Sequence, residues 1–118
     1  MPDITPGPDD PALDALFHAL SDPRRRDMVA RLSRDPMSVK ELAEPLGMRL
    51  PSAVKHLAVL ESGGLVVSEK EGRVRTYRMK TEAFDRVRRW IEQREIELSA
   101  AFDRLEQAIS DFPEDQDK

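Results

Sequence analysis

The spacing of apolar residues predicts two short amphipathic helices near the start of the chain. Apolar side chains recur at three- and four-residue intervals over residues 12–20, which is the periodicity of a helix with one buried face. Ser21-Asp22-Pro23 then interrupts the pattern and supplies an N-cap followed by a proline at the first helical position. We expect this second helix to run to about Arg34. Residues 1–11 are rich in proline and acids and have little to bury, so we expect a disordered arm there.

Two further helices follow, separated by a very short turn. Ser38 and Glu41 have the spacing of a capping box, so a third helix is predicted to start after Ser38. It ends near Gly47, and a fourth helix runs from about Leu50 to Ser62. Two helices joined by a turn of about four residues are typical of a helix-turn-helix, whose second helix enters the major groove of DNA.

The pattern then changes to strands and back to a helix. Residues 65–70 and 74–79 are β-prone and alternate in polarity, so they predict a hairpin with Gly72 at its tip. Thr81 caps a long helix predicted over residues 81–109, and an acidic tail occupies residues 111–118. The predicted fold is therefore mainly α with a small β-hairpin wing: a winged helix-turn-helix over residues 12–110 that includes a long C-terminal dimerisation helix.

The long helix carries an apolar stripe that could serve as core, dimer interface or ligand pocket. The stripe runs from Phe84 to Phe102, with Trp90 beside it. A helix of about 29 residues would span about 43 Å, which is longer than so small a body can cover. The distal apolar residues therefore need a partner, and a second copy of the same helix is the simplest one. These residues are Leu98, Phe102, Leu105 and Ile109.

Charge is distributed unevenly along the chain. The net charge is −4, which alone argues against a nucleic-acid partner. Between Gly47 and Lys80, however, seven basic residues face three acidic ones, so this segment carries +4 and the remainder −8. A basic middle in an acidic chain is the charge pattern expected of a local phosphate-binding surface.

The fourth helix holds four candidates for DNA contact near its start. They are short polar or cationic donors, the residue types that read base edges or hold phosphates: Arg49, Ser52, Lys55 and His56. The inward face of the helix is assigned to Val54 or Ala53, together with Leu57 and Ala58. A basic and serine-bearing outer face is not needed for packing, which favours a role in binding.

The predicted wing adds three cations beside its glycine, namely Lys70, Arg73 and Arg75. A flexible cationic loop suits contact with phosphates or the minor groove. Plainer roles stay open for several cations. His56 could pack against the wing, Lys55 could be solvated, and Arg24–Arg26 could either contact phosphate or pair with neighbouring acids.

Several function classes are excluded or disfavoured by composition. The chain has no cysteine, which removes disulfides, thiol chemistry and cysteine-based metal sites, and its two histidines are too few for an all-histidine site. No glycine-rich phosphate loop or catalytic pair is present, so we do not expect an enzyme. No apolar run approaches the roughly 20 residues of a membrane span, and the N-terminus lacks the features of a signal peptide. We therefore expect a cytoplasmic protein without a membrane partner.

Five motifs in order resemble the ArsR-type winged helix-turn-helix regulators. They are Ala19-Leu20-Ser21-Asp22-Pro23-Arg24-Arg25-Arg26, Ser38-Val39-Lys40-Glu41-Leu42-Ala43, Lys55-His56-Leu57-Ala58-Val59-Leu60-Glu61, Gly64-Leu65-Val66 and Gly72-Arg73-Val74-Arg75-Thr76-Tyr77. The similarity covers about Leu13 to Ile109. It implies a homodimer that binds a palindromic operator on double-stranded DNA and represses transcription until an inducer or partner relieves it.

The resemblance also implies roles for individual residues. Ser52, Lys55 and His56 would face the DNA, and Arg73 and Arg75 would belong to the wing. The first and last helices would form the dimer interface, to which we assign Leu13, Leu16, Phe17, Trp90, Ile91, Leu98, Phe102, Leu105 and Ile109.

The chain departs from the resembled family at its sensing sites. The third helix has no thiol and the last helix has no histidine, so both familiar metal sites are missing. We therefore predict no metal response and no cofactor, and the inducer stays open. Arg49 stands where a serine or similar cap is common, so the start of the fourth helix is expected to be reshaped or to gain a phosphate contact. The alternative function is a winged-helix protein–protein interaction module without specific DNA binding, but clustered cations on the fourth helix and wing favour DNA.

Overall fold

The computed structural model describes residues 10–112, and these form two units that meet in sequence between Phe84 and Asp85. The first unit contains α1 (Pro11–Leu20), α2 (Pro23–Leu32), β1 (Met37–Ser38), α3 (Val39–Ala43), α4 (Leu50–Ser62), β2 (Val66–Glu71) and β3 (Val74–Met79). The second unit is built on one helix, α5 (Asp85–Asp111). The three strands form an antiparallel sheet in the order β1-β3-β2. The predicted class, mainly helical with a small wing and a long final helix, is confirmed.

Side-chain caps fix the starts of the first three helices. Asp10 and Asp22 each accept a hydrogen bond from an amide of the following turn, at 3.1 and 2.7 Å. The bond from the Arg24 amide stabilises the Asp22 carboxylate and lowers its pKa. Ser38 and Glu41 form the predicted capping box, with reciprocal bonds of 3.2 and 2.8 Å. At each of these three helix starts, at least one amide donor is thus met by a side chain of the same chain.

Some boundaries differ from the sequence-based expectation. α1 already begins at Pro11 with Asp10 as its cap, so these two residues are not part of an arm; residues 1–9 and 113–118 lie outside the described part. α3 ends at Ala43 because Pro45 lacks an amide hydrogen and disfavours helical backbone before it. α5 starts at Asp85 rather than Thr81, since the four preceding residues form turns. β1 was missed because two residues are too short to show a strand pattern.

The core of the first unit lies among α1–α4 and the base of the wing. Its buried residues are Leu13, Leu16, Ala19, Met28, Val29, Leu32, Leu42, Ala43, Ala53, Leu57, Leu60, Leu65, Val66, Tyr77 and Ala83. Helices α1 and α4 approach closely at Gly63, where an added Cβ would lie 2.8 Å from the Cβ of Ala19 and 2.9 Å from the carbonyl oxygen of Ala15. The end of α4 therefore requires glycine, and this contact fixes α4 against α1.

Helix α5 has the opposite character. None of its 27 residues is buried. Five apolar side chains, spaced by seven, four, three and four residues, lie close to one line along the helix: Ile91, Leu98, Phe102, Leu105 and Ile109. This spacing is that of the a and d positions of a heptad seam.

Candidate nucleic-acid interface

Helix α4 is the second helix of the predicted helix-turn-helix and has the bounds expected from the sequence. The turn between α3 and α4 contains Gly47 at φ +65°, and the Met48 amide donates to the Ala43 carbonyl oxygen at 3.0 Å. Ala53, Leu57 and Leu60 are fully buried, so they define the inner face of α4. Outside this inner face, one flank of α4 is partly covered. The rest of the helix surface is exposed and available to a partner.

The structure decides between the two alternatives for the inner face of α4, because Ala53 is buried and Val54 is not. Ala58 was assigned to this face but is exposed, so that assignment is wrong. The buried positions follow a spacing of four and three residues, and Val54 lies one residue, or about 100°, away from that stripe. Val54 and Leu50 are each about half exposed, at 48% and 49%, and are neighbours on the helix surface. The spacing of the apolar residues Ala53, Leu57 and Leu60 is the sequence signal that could have identified Val54 and Leu50 as exposed.

The start of α4 lacks the side-chain cap that α1, α2 and α3 possess. Arg49 occupies the N-cap position, where a serine or similar cap is common. It makes no capping hydrogen bond, so the start of α4 is left without a side-chain cap. A surface cleft of about 310 Å³ lies there, lined by Arg49, Pro51, Ser52 and Lys55. Neither exposed side chain, of Arg49 or of Lys55, makes a hydrogen bond or ion pair with another residue in the described range 10–112. Free amide donors and free cations therefore coincide at this helix end.

His56 lies on the partly covered flank of α4 and contacts Arg25 of α2. Its Nδ1 is 3.2 Å from Arg25 Nη1. Arg25 is 8% exposed, and it also donates through Nε to the Ala19 carbonyl oxygen at 2.7 Å and through Nη2 to that of His18 at 3.0 Å. Arg26 likewise donates to the Leu20 carbonyl oxygen at 2.7 Å. Both arginines thus satisfy the last carbonyls of α1, a role that neither sequence-based alternative anticipated.

The wing is a tight hairpin with the predicted glycine at its tip. β2 and β3 pair from Val66↔Met79 to Glu71↔Val74, so Gly72 and Arg73 alone form the turn. Gly72 has φ +64°, and among the described residues positive φ occurs only at glycines. A two-residue turn with positive φ at its first position alone has the pattern of a type II′ hairpin. This geometry places Arg73 at the wing tip.

Strand alternation separates the charges of the wing. Lys70 lies directly opposite Arg75 in the ladder, and both are exposed. Because neighbouring residues point to opposite faces, these cations share one face with Tyr77, while Glu69 and Glu71 lie on the other. The cationic face at the tip therefore continues the face that packs into the core at the base of the wing.

A chain of hydrogen bonds connects the wing to the end of α4. Arg75 Nη1 donates to Ser68 Oγ at 2.9 Å, and this hydroxyl donates to Glu61 Oε2 at 3.2 Å. Burial raises the pKa of the Tyr77 hydroxyl, and the Glu61 carboxylate adds to the rise. Of the three predicted wing cations, Arg75 thus has an internal partner, whereas Lys70 and Arg73 have none within the described residues.

The residues assigned to a dimer interface fall into two groups. Leu13 and Leu16 of α1 are buried in the chain itself and belong to its core, which leaves Phe17, at 40% exposure, as the α1 residue with apolar surface to offer. The α5 residues all remain substantially exposed: Trp90, Ile91, Leu98, Phe102, Leu105 and Ile109. Arg94 lies over the Trp90 ring, 5.0 Å from its centroid. Ile96 is also exposed but lies off the seam.

The described residues give no indication of a metal centre or a membrane segment. No group of three or more histidine, aspartate or glutamate side chains in this range could hold a metal ion. None of the helices that the structure describes combines the length and apolar composition required to cross a membrane.

Sequence comparison finds relatives among bacterial regulators. A family described as a helix-turn-helix domain matches residues 20–69. The HTH-type transcriptional regulator Rv2034 of Mycobacterium tuberculosis is 38% identical over 66 residues, which are 56% of this chain and 62% of that protein. The HTH-type transcriptional repressor SmtB of the same species is 34% identical over 68 residues, 58% of this chain and 50% of that protein. The chain thus spans about half to two thirds of these relatives.

Two solved structures extend the comparison beyond the helix-turn-helix. An ArsR family transcriptional regulator, RHA00566, is 46% identical and superposes with a TM-score of 0.67, covering 72% of this chain and 94% of that one. The homodimeric winged helix-turn-helix DNA-binding domain Mb0332 of Mycobacterium bovis, a possible ArsR-family regulator, is 26% identical with a TM-score of 0.58, covering 80% and 84%. The chain belongs to the ArsR family of winged helix-turn-helix transcriptional regulators.

Proposed function

We propose that this protein is a homodimeric repressor that binds a palindromic operator on double-stranded DNA. The uncapped start of α4 carries the proposal, because Arg49, Ser52 and Lys55 surround unused amide donors in one cleft. A phosphate group of the DNA backbone would meet both the amides and the cations. A protein-interaction module has no need to leave these groups unmet.

Residues further along α4 are suited to reading bases. Ser52 and His56 offer polar groups, and the exposed aliphatic side chains of Leu50 and Val54 suit contact with thymine methyl groups. Arg73 and Lys70 on the wing would hold the flanking backbone. Arg75 would have to exchange its bond with Ser68 for a phosphate contact or keep it and position the wing.

The proposed dimer is formed by the apolar seam of α5. Five aligned apolar side chains on one helix are too many to leave in water, and a second copy of the same seam is a self-complementary partner. Phe17 of α1 is the further interface residue we propose. A two-fold dimer would place two α4 helices in successive major grooves, with half-sites about 34 Å apart.

The repressor assignment draws on the relatives. SmtB is named a transcriptional repressor and Mb0332 a homodimeric DNA-binding domain. For this chain we propose that operator occupancy blocks transcription from the same promoter. The inducer or partner that would release it is left open.

Selection from a random duplex library tests this function. Immobilised full-length protein should enrich a palindromic sequence with half-sites separated by about one helical turn. A promoter carrying the enriched site should then be silenced by the protein in purified transcription, and a promoter with a scrambled site should not. Enrichment of no sequence at low salt would favour the protein-interaction module, and stimulated transcription would contradict repression.

A further inference from the structure

We propose that Arg25 is a positioning residue for DNA recognition, because it holds His56 in the tautomer that carries its proton on Nε2. The inference rests on the proposed DNA-binding role of α4 and deepens it. Arg25 lies on α2 and the residue is only 8% exposed, so it would act through the α4 histidine.

The direction of the Arg25–His56 hydrogen bond follows from the chemistry of the two groups. A guanidinium has five N–H donors and no acceptor, and it keeps its charge in proteins. Nδ1 of His56, 3.2 Å from Nη1, must therefore accept, which requires an unprotonated Nδ1. A neutral imidazole then carries its hydrogen on Nε2. The contact thus selects one tautomer of two.

Arg25 is itself fixed by bonds that do not involve His56. Its Nε and Nη2 donate to the carbonyl oxygens of Ala19 and His18 at the end of α1, at 2.7 and 3.0 Å. These bonds, together with burial, leave the guanidinium little freedom to rotate. The end of α1 therefore orients the His56 ring through Arg25. His56 lies one turn along α4 from the cleft residue Ser52.

The consequence is a defined hydrogen-bond donor on α4. His56 Nε2 has no hydrogen-bond partner among residues 10–112, and the side chain is partly exposed. In the selected tautomer it can donate to a phosphate oxygen or to a base acceptor such as guanine N7 or O6. Without Arg25 the ring would exchange between tautomers and orientations, and part of the population would present an acceptor instead.

The tautomer can be measured on the free protein, without DNA. Two-bond ¹⁵N–¹H correlation spectra of the imidazoles, recorded well above the usual titration range of histidine, distinguish the two tautomers. His18→Gln leaves His56 as the remaining histidine and so assigns its signals. We expect the Nε2–H pattern in the full-length protein and a mixed pattern in Arg25→Gln. An Nδ1–H pattern in the unsubstituted protein would overturn the proposal whatever the protein binds.

DNA binding supplies the second measurement, with Arg26→Gln as the matched control. Arg26 also caps α1 but is not part of the His56 contact. Arg25→Gln should weaken binding to the selected duplex about tenfold, the effect of losing one net hydrogen bond. The slope of log K against log salt should stay unchanged, whereas a phosphate ligand would lower it by about one. Arg26→Gln should bind as the unsubstituted protein does. Equal affinity of both variants, or a reduced slope in Arg25→Gln, would overturn the positioning role.

Two substitutions of His56 keep the test decisive if Arg25→Gln folds poorly. An asparagine amide reaches about as far as Nδ1 and can still accept from Arg25, but it offers nothing at the Nε2 position. A glutamine amide reaches about as far as Nε2 and can donate there. We expect His56→Asn to bind the selected duplex about tenfold more weakly and His56→Gln to retain most affinity. The reverse order would overturn the assignment. If the unsubstituted protein bound no duplex, the proposed function would fail, while the spectra would still decide the tautomer.

Discussion

Helices α4 and α5 leave opposite kinds of surface unsatisfied. α4 buries Ala53, Leu57 and Leu60 completely, while the cations at its start have no partner in the described chain. α5 buries nothing apolar, yet it pairs charges along its own surface, as in Arg88–Asp85 at 2.7 Å and Arg94–Glu97 at 2.9 Å.

The difference indicates which kind of partner surface each helix requires. Surface ion pairs contribute little stability, so the pairs on α5 do not explain why that helix exists as a 27-residue element. Its apolar seam calls for another apolar surface. The start of α4 calls for negative charge and hydrogen-bond acceptors. A second copy of the chain would cover the apolar seam of α5. A DNA backbone would supply negative charge and hydrogen-bond acceptors to the start of α4.

The largest expected effect comes from charging the α5 seam. Leu98→Asp combined with Phe102→Asp should yield monomers in sedimentation equilibrium, because two buried carboxylates would each cost several kcal/mol at an apolar interface. Loss of the second α4 helix should lower affinity for the selected duplex by more than about a hundredfold. Ser99→Asp with Ser110→Asp adds the same charge off the seam and should remain dimeric. A dimeric Leu98/Phe102 variant would place the interface elsewhere.

The next effect, from the α4 cleft, is smaller. Lys55→Ala should weaken binding about tenfold at every sequence and reduce the salt slope by about one, because one phosphate contact is lost. Arg104→Ala removes the same charge from α5, which is not part of the helix-turn-helix, and should change neither quantity. Anisotropy titrations at several salt concentrations measure both. An unchanged slope for Lys55→Ala would remove its phosphate role.

Val54→Ala probes sequence choice rather than overall affinity. If Val54 contacts a thymine methyl, its truncation should reduce discrimination at one base pair of each half-site by about fivefold and leave the salt slope unchanged. Ala58→Ser on the exposed face is the comparison variant and should keep full discrimination. Binding to a panel of singly substituted duplexes measures the difference. Equal loss across all base pairs would contradict a direct apolar contact.

The smallest effect concerns the stability of the wing. Lys70 and Arg75 lie directly opposite each other, and like charges in that position destabilise a sheet. Lys70→Thr should therefore raise the free energy of unfolding by a few tenths of a kcal/mol, at most about 1, while weakening DNA binding. Urea denaturation compared with binding would reveal the opposing changes. A destabilised variant would mean that Lys70 supports the wing.

Local rules predicted most of the fold. The caps at Asp22 and Ser38, the bounds of α4 and the glycine at the wing tip depend on neighbouring residues, so a single sequence is enough to find them. The strand β1 depends on pairing with residues about 40 positions away, which no local pattern reveals.

The site was predictable only in part, for a related reason. The exposure of Arg49 and Lys55 could be expected from the sequence, because an exposed cation needs no tertiary partner. The role of Arg25 was missed, since it depends on α1 carbonyls and His56, 31 residues away, meeting at one buried guanidinium. Leu13 and Leu16 show the converse: their helical spacing does not reveal whether the neighbour is the same chain or another.

Fluorescence anisotropy of the full-length protein with the DNA upstream of its own gene tests the central claim most directly. A scrambled duplex of equal length is the control, and both are titrated at two salt concentrations. We expect tighter binding to the upstream DNA and a loss of affinity for both duplexes as salt rises, because α4 and the wing would neutralise phosphates. Absence of binding to either duplex at low salt would contradict it.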